Sequence, residues 1–316
     1  MEYRDIHIPV MRKEVMYYLN LRKGDIVFEG TLGGAGHTVE IIKAIAPTGK
    51  VIGVDLDSQA TSTATRNLKD KGLIDYIEIV NDNFSNVTDI LRAHSVKRLN
   101  GFLLDLGLSS MQIEMSGRGF SYLKNENLDM RFNTKEGISA SDIINEYPEE
   151  LLKDIFYKYG EERWSGRIAS KIVSYRKNKR IELTGQLIEI IKKSVPLKYQ
   201  YGDGGHPAKR VFQAIRIEIN GELKNLKDAL SDGVDLMANG GRMVIISYHS
   251  LEDRIVKESF VSFTGKCTCP QDFPECRCGA IKKGMIITKR VVKPSEDEIR
   301  QNPRARSARM RVFEKE

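Results

Sequence analysis

Glycines and acids that directly follow short apolar runs carry the chemistry available to this chain. Ile26-Val27-Phe28 runs into Glu29-Gly30-Thr31-Leu32-Gly33-Gly34-Ala35-Gly36-His37, and Val51-Ile52-Gly53-Val54 runs into Asp55. A glycine-dense turn after a buried strand lets a ligand approach the backbone where a side chain would block it. An acid at the interval of Asp55 after such a turn can take both hydroxyls of a ribose. The pair therefore points to a nucleoside-containing cofactor; a ligand-free turn and a surface acid are the plain alternatives. A nicotinamide dinucleotide and S-adenosylmethionine both fit. The register Gly-x-x-Gly-Gly-x-Gly departs from the stricter spacing that a pyrophosphate prefers, and this favours S-adenosylmethionine.

A second site is Leu103-Leu104-Asp105-Leu106-Gly107-Leu108-Ser109-Ser110, with an acid at the carboxyl end of an apolar run. Asp105 would face the transferable group of the cofactor, Gly107 would admit a flat base, and the serines offer hydrogen bonds. The alternative is an acid that caps the next helix. In Ile246-Ser247-Tyr248-His249-Ser250, His249 ends a further apolar run at the same edge as Asp105. It is either a proton acceptor or a hydrogen-bonded structural histidine. Arg210, Gln213 and Arg216, and the arginines of Asn302 to Arg311, suit phosphates; a solvated helix start and an unpartnered basic tail are the alternatives. The 4 cysteines lie at Cys267, Cys269, Cys276 and Cys278, which excludes a chain-wide disulfide framework. They could hold a structural zinc ion or remain free thiols; the candidate chemistry requires no metal.

The elements that must position these groups alternate between strand and helix. Ile26 to Phe28, Val51 to Leu56, Tyr76 to Val80 and Gly101 to Leu106 read as strands. Helical stretches start near Gly36 and at Ser58, the latter with Asp57-Ser58 as N-cap. Such alternation predicts a parallel sheet covered on both faces. The next strand of this quality, Arg242 to Ser247, comes after one long helix over Phe212 to Met237. Between them, Ala140 to Asn145, Glu149 to Tyr159, Trp164 to Arg176 and Thr184 to Lys193 are helical in pattern. Residues 111–209 are thus expected to form an inserted helical domain, with 1–110 and 210–316 making the sheet domain. Met285 to Val292 and Arg309 to Phe313 could pair antiparallel at the sheet edge.

With 316 residues the chain can bury a large core, about 75% of its unfolded surface. Its net charge of +7 leans towards a polyanionic partner. No basic-then-apolar leader pattern and no apolar run near the roughly 20 residues of a membrane span occur, so a cytoplasmic protein is expected.

Taken together, the motifs resemble those of the bacterial small-subunit ribosomal RNA cytosine-N(4) methyltransferases, the RsmH or MraW family. The matching stretches are His7 to Met11, Gly30 to His37, Gly101 to Ser110, Arg118 to Ser121, Leu128 to Arg131 and Tyr159 to Glu162. His206 to Asn220, Ile246 to Arg254 and Asn302 to Arg311 complete the set. The resemblance implies an α/β fold, a Rossmann-like S-adenosylmethionine methyltransferase sheet with an inserted helical domain. It implies methylation of a cytidine in the decoding region of 16S ribosomal RNA, within the small ribosomal subunit. Carried over by motif, cofactor contacts fall on Ala35, Gly36, His37, Asp55, Phe84, Asp105 and Gln112. Ala35 stands where a third glycine is usual, a change the backbone tolerates if φ is negative. Glu29 stands where an aspartate is usual. Asp105 and His249 are the candidate catalytic groups. A non-catalytic RNA-binding assembly factor that uses S-adenosylmethionine only as a ligand is the alternative from another class.

Overall fold

The computed structural model describes residues 9–114, 116–200, 206–266 and 281–316. In chain order the strands are β1 (Ile26–Glu29), β2 (Lys50–Val54), β3 (Ile77–Val80), β4 (Leu99–Asp105), β5 (Met237–Ser247), β6 (Gly284–Ile286) and β7 (Arg309–Lys315). The helices of the first half are α1 (Arg12–Leu19), α2 (Gly36–Ile45), α3 (Ser58–Asp70), α4 (Val87–Ala93), α5 (Ser110–Glu114), α6 (Ala140–Glu146) and α7 (Glu149–Gly160). They are followed by α8 (Ser165–Arg176), α9 (Thr184–Ser194), α10 (Ala208–Asn220), α11 (Glu222–Leu236), α12 (Ser250–Phe263) and α13 (Glu296–Gln301). Two compact units result, Met1–Gly107 with Leu223–Glu316, and Leu108–Glu222. Among the described residues no helix is long and apolar enough to cross a membrane.

The first unit holds one sheet in the order β3-β2-β1-β4-β5-β7-β6. β1 to β5 pair in parallel, and β7 and β6 close the edge antiparallel. The alternation of side chains along a strand separates two cores. Val27, Leu103, Val244 and Ile246 face one core, filled by Ile41, Ile42 and Ile45 of α2 and Ala64 and Leu68 of α3. Phe28, Phe102, Leu104 and Ile245 face the other, with Ile90 of α4, Leu230 of α11 and Phe260 of α12. Burial on both faces explains the continuous apolar runs of the central strands. The sheet is therefore Rossmann-like, as expected. Asp57 caps α3 by accepting a hydrogen bond from the Gln59 amide at 3.0 Å. The helix over 87–93 carries too short a pattern to be read from sequence.

The second unit is helical. Its core joins Ile143 and Ile144 of α6, Phe156 of α7, Ile168 and Ile172 of α8, Ile191 of α9, and Val211, Phe212 and Ile215 of α10.

Two expectations differ from the structure. The single helix over Phe212 to Met237 is two helices, because Gly221 adopts φ 59° and ends α10 in the left-handed conformation. Apolar spacing alone runs in phase across that break. The expected return to the sheet domain at residue 210 falls instead after Glu222, because α10 buries its apolar face in the helical core. The four cysteines lie outside the described residues, as does the His7-Ile8 start of the first matching motif.

Phe28 and Phe102 stack at 5.1 Å, and the Phe102 ring occupies the space where a Cβ at Gly233 of α11 would come within 2.8 Å. Phe102→Ala is expected to cost about 3–5 kcal/mol. Urea denaturation would detect this as a lowered midpoint at an unchanged slope; a loss under 1 kcal/mol would show that the ring does not pin this face.

Candidate active site

The carboxyl ends of β1, β2, β4 and β5 converge because these strands run parallel and are neighbours. The turn from β1 to α2 crosses there. Gly30 donates its amide to Leu103 O at 3.0 Å, and a Cβ on it would lie 2.5 Å from Leu104 Cδ2 and 2.8 Å from Phe84 Cβ. Only glycine lets the chain turn so close to β4. Thr31 Oγ1 then accepts from the Asp105 amide at 2.7 Å, and Leu32 donates its amide to Val54 O at 2.9 Å. The turn is thereby stitched to the ends of β4 and β2.

Asp55 is held from both sides: Oδ2 accepts from the Gly33 amide at 2.9 Å and Oδ1 from the Asp57 amide at 2.9 Å. Each carboxylate oxygen can accept more than one hydrogen bond, which is the chemistry a diol requires. Ala35 begins the entry to α2 with φ 65°, so the condition that φ be negative is not met. The left-handed conformation costs an alanine roughly 1–2 kcal/mol, which explains why glycine suits this position. Its methyl is buried in the core beside α2, and that burial offsets part of the cost.

His37, in the first turn of α2, is buried, and neither ring nitrogen has a hydrogen-bond partner among the described residues. Its Nε2 lies 3.6 Å from Asp105 Oδ2. Buried polar nitrogens are costly to leave unpaired, which makes this ring a candidate ligand contact. The other Asp105 oxygen, Oδ1, accepts from the Tyr248 hydroxyl at 2.7 Å. Burial and the neighbouring Asp105 push the Tyr248 phenol well above its usual range, so it stays protonated and donates. Gly107, at φ 99°, brings the backbone against the Tyr248 ring, where a Cβ would sit 3.2 Å from Cδ2. Nothing in the sequence links Tyr248 to Asp105; only the pairing of β4 with β5 joins them.

His249 caps α12, with Nδ1 accepting from the Glu252 amide at 3.4 Å. Glu252 Oε2 accepts in return from the Tyr248 amide at 2.8 Å. Phe84 opens a short 3-10 turn, Phe84–Asn86, after β3. Gln112 belongs to the helical unit, where it is buried and its Oε1 accepts from the Ser109 amide at 3.0 Å. Two basic residues of α10 are engaged locally. Arg216 grips Glu222 with two hydrogen bonds of 2.7 and 2.8 Å, and Arg210 donates to Glu161 O at 3.2 Å. These contacts join α10 to its neighbours in the helical unit.

Glu29 lies beneath the turn, buried, with Oε2 accepting from Thr38 Oγ1 at 2.7 Å. Desolvation raises its pKa to about 7, opposed by His37 and Thr38 and assisted by Asp105 and Asp55. The folded state therefore binds more protons than the unfolded state between pH 4.5 and about 7. Stability from this group is complete below that window and falls as pH rises through it, by on the order of 3 kcal/mol. Glu29→Gln should shrink the stability difference between pH 5 and pH 8, read by chemical denaturation. An unchanged difference would mean that Glu29 is ionised in the folded protein throughout.

A model described as the MraW methylase family matches residues 4–316. Ribosomal RNA small subunit methyltransferase H of Halothermothrix orenii is 47% identical over 309 residues, covering 98% of each chain. The protein of that name from Clostridium botulinum (strain Loch Maree) is 46% identical over 309 residues, again covering 98% of each chain. Ribosomal RNA small subunit methyltransferase H 2 of Agathobacter rectalis is 44% identical over 310 residues at the same coverage. With the match spanning the sheet, the glycine turn and the helical unit alike, this chain belongs to the MraW methylase family.

Proposed function

We propose that the protein transfers a methyl group from S-adenosylmethionine to the exocyclic N(4) amine of a cytidine in the decoding region of 16S ribosomal RNA. The observation that carries this reading is the edge where Asp55, His37 and Asp105 meet around the glycine turn. The relatives' names, ribosomal RNA small subunit methyltransferase H, support the substrate class. The residues fit the cofactor: Asp55 brings a carboxylate suited to a ribose, Gly30 seats the turn against β4, and the buried His37 ring nitrogens make no hydrogen bond among the described residues. Ala35, Gly36 and Phe84 would line the same edge, and Gln112 is assigned to the cofactor by motif. S-adenosylmethionine, when bound, supplies an electrophilic methyl group on a sulfonium.

The cytosine amine is a poor nucleophile because its lone pair is delocalised into the ring. Holding it in line, with reacting atoms about 3–3.5 Å apart, can contribute roughly 7–11 kcal/mol. Asp105 serves this alignment: Oδ1 is fixed by the Tyr248 hydroxyl, and Oδ2 accepts from the amine. Positive charge that builds on the nitrogen is stabilised by this carboxylate, which also takes the departing proton. Tyr248 is a positioning residue, since it acts on the amine only through Asp105. His249 is assigned the cap of α12 in place of a proton acceptor. The lone pair on Nδ1 is already committed to the Glu252 amide. A base must be single-stranded or flipped out to enter such a site.

The test is methyl-labelled S-adenosylmethionine with small ribosomal subunits from cells lacking this activity, the labelled nucleoside being identified by mass spectrometry. Label in N(4)-methylcytidine at one position is expected. Tight cofactor binding without label on subunits or free RNA would favour the assembly-factor reading. Asp105→Asn should lower kcat by about 10²-fold or more at saturating cofactor. His249→Ala should keep kcat within a few-fold and lose about 0.5–2 kcal/mol of stability as a lost cap. A kcat loss in His249→Ala matching that of Asp105→Asn would restore the imidazole to the chemistry.

A further inference from the structure

A basic recess of about 320 Å³ is lined by Tyr248, His249, Ser250, Lys293, Arg306 and Arg309 together with Ser307 and Ala308. None of these lining residues is acidic. Lys293 and Arg306 have no ion-pair partner among the described residues, and both are exposed. Arg309 approaches Asp253 only at 3.4 Å, whereas Arg311 holds the same carboxylate at 2.6 and 3.1 Å. The two arginines share one carboxylate, so the group carries one positive charge in excess. Backbone pairing sets the cations in place: Val292 and Met310 exchange hydrogen bonds of 3.0 and 2.9 Å, which brings Lys293 beside Arg309. Arg306 comes from the 3-10 turn Pro303–Ser307. The amino end of α12, a helix of 14 residues, adds a positive dipole from Ser250.

Surplus cations, hydroxyls and a helix amino end around one recess describe a site for a phosphate oxygen. Its volume lies at the low end of ligand pockets, about 300–1,000 Å³. Its Tyr248 wall is the residue that fixes Asp105 by a 2.7 Å hydrogen bond. We propose that this recess holds a phosphodiester of the substrate RNA close to the nucleotide being methylated. The proposal rests on the methyltransferase reading above and adds to it the group that seats the strand. A phosphate held here fixes the backbone one side chain away from the carboxylate that meets the amine. The arginines at the end of the chain thereby act at the site itself, as a local clamp.

The test measures binding of isolated 16S ribosomal RNA by the full chain across a range of salt concentrations, with turnover on small subunits measured separately. Each phosphate contact to single-stranded RNA contributes about 0.7 to the slope of log affinity against log salt. Lys293→Ala and Arg306→Ala should each reduce the slope by about this amount and raise KM for subunits. Cofactor affinity, Tm and kcat at saturating subunits should stay unchanged. Arg306→Lys, which keeps the charge, should restore the slope. Slopes equal to wild type in both alanine variants would overturn the proposal. Binding of inorganic phosphate at constant ionic strength with those equal slopes would also overturn it, by making the recess a free-anion site. Wild-type turnover separates the two readings: turnover with unchanged slopes removes the recess alone, and reduced slopes without any turnover remove the methylation reading alone.

Discussion

At Gly30 the structure has no space for a methyl group, and the candidate site depends on that fact. The chain leaving β1 passes so close to β4 that a Cβ would overlap Leu104 and Phe84. This close passage lets Thr31 reach the Asp105 amide and Leu32 reach Val54 O. The Gly33 amide then meets the Asp55 carboxylate. The Asp55 carboxylate, held by the Gly33 amide, and the Asp105 main chain, held by the Thr31 hydroxyl, are thereby tied to one turn. Sites built on strand ends in this way hold their geometry more precisely than sites carried by free loops.

The electrostatics of the edge follow from the same crowding. Glu29, Asp55 and Asp105 lie near one another, and burial makes the deepest of them reluctant to ionise. Neighbouring carboxylates raise each other's cost of ionisation and lower the cost of a cation placed among them. A sulfonium is such a cation, and it loses its charge as the methyl departs. Tyr248 adds a neutral donor, which gives the Asp105 carboxylate a fixed orientation.

The helical unit shows why ordered sequence matches need not all be ligand contacts. Asn220 accepts from the Phe132 amide at 2.8 Å and donates to Met130 O at 2.9 Å. Asp129 pairs with Arg131 at 2.7 Å, and Arg118 donates to Arg131 O and Phe132 O. Buried backbone groups in an irregular segment need such partners, because no helix or strand supplies them. The arginines of Asn302 to Arg311 divide similarly: Arg311 is committed to Asp253, and Arg306 is left for solvent or a ligand.

Local order was legible in the sequence. The strands at Ile26, Val51 and Gly101, the cap at Asp57, the glycine turn and the place of Asp55 and Asp105 at strand ends are written in short stretches. Their signals, apolar periodicity and glycine at turns, act over a few residues. The break at Gly221 is not visible in the sequence because apolar spacing stays in phase across it. Tertiary structure alone decided the partner of Asp105, since Tyr248 lies 143 residues away and arrives only through the pairing of β4 with β5. It also decided that His249 caps a helix, and which cations stay unpaired. Such choices depend on distance in space and on competition among neighbours, and a linear pattern of residue types encodes neither.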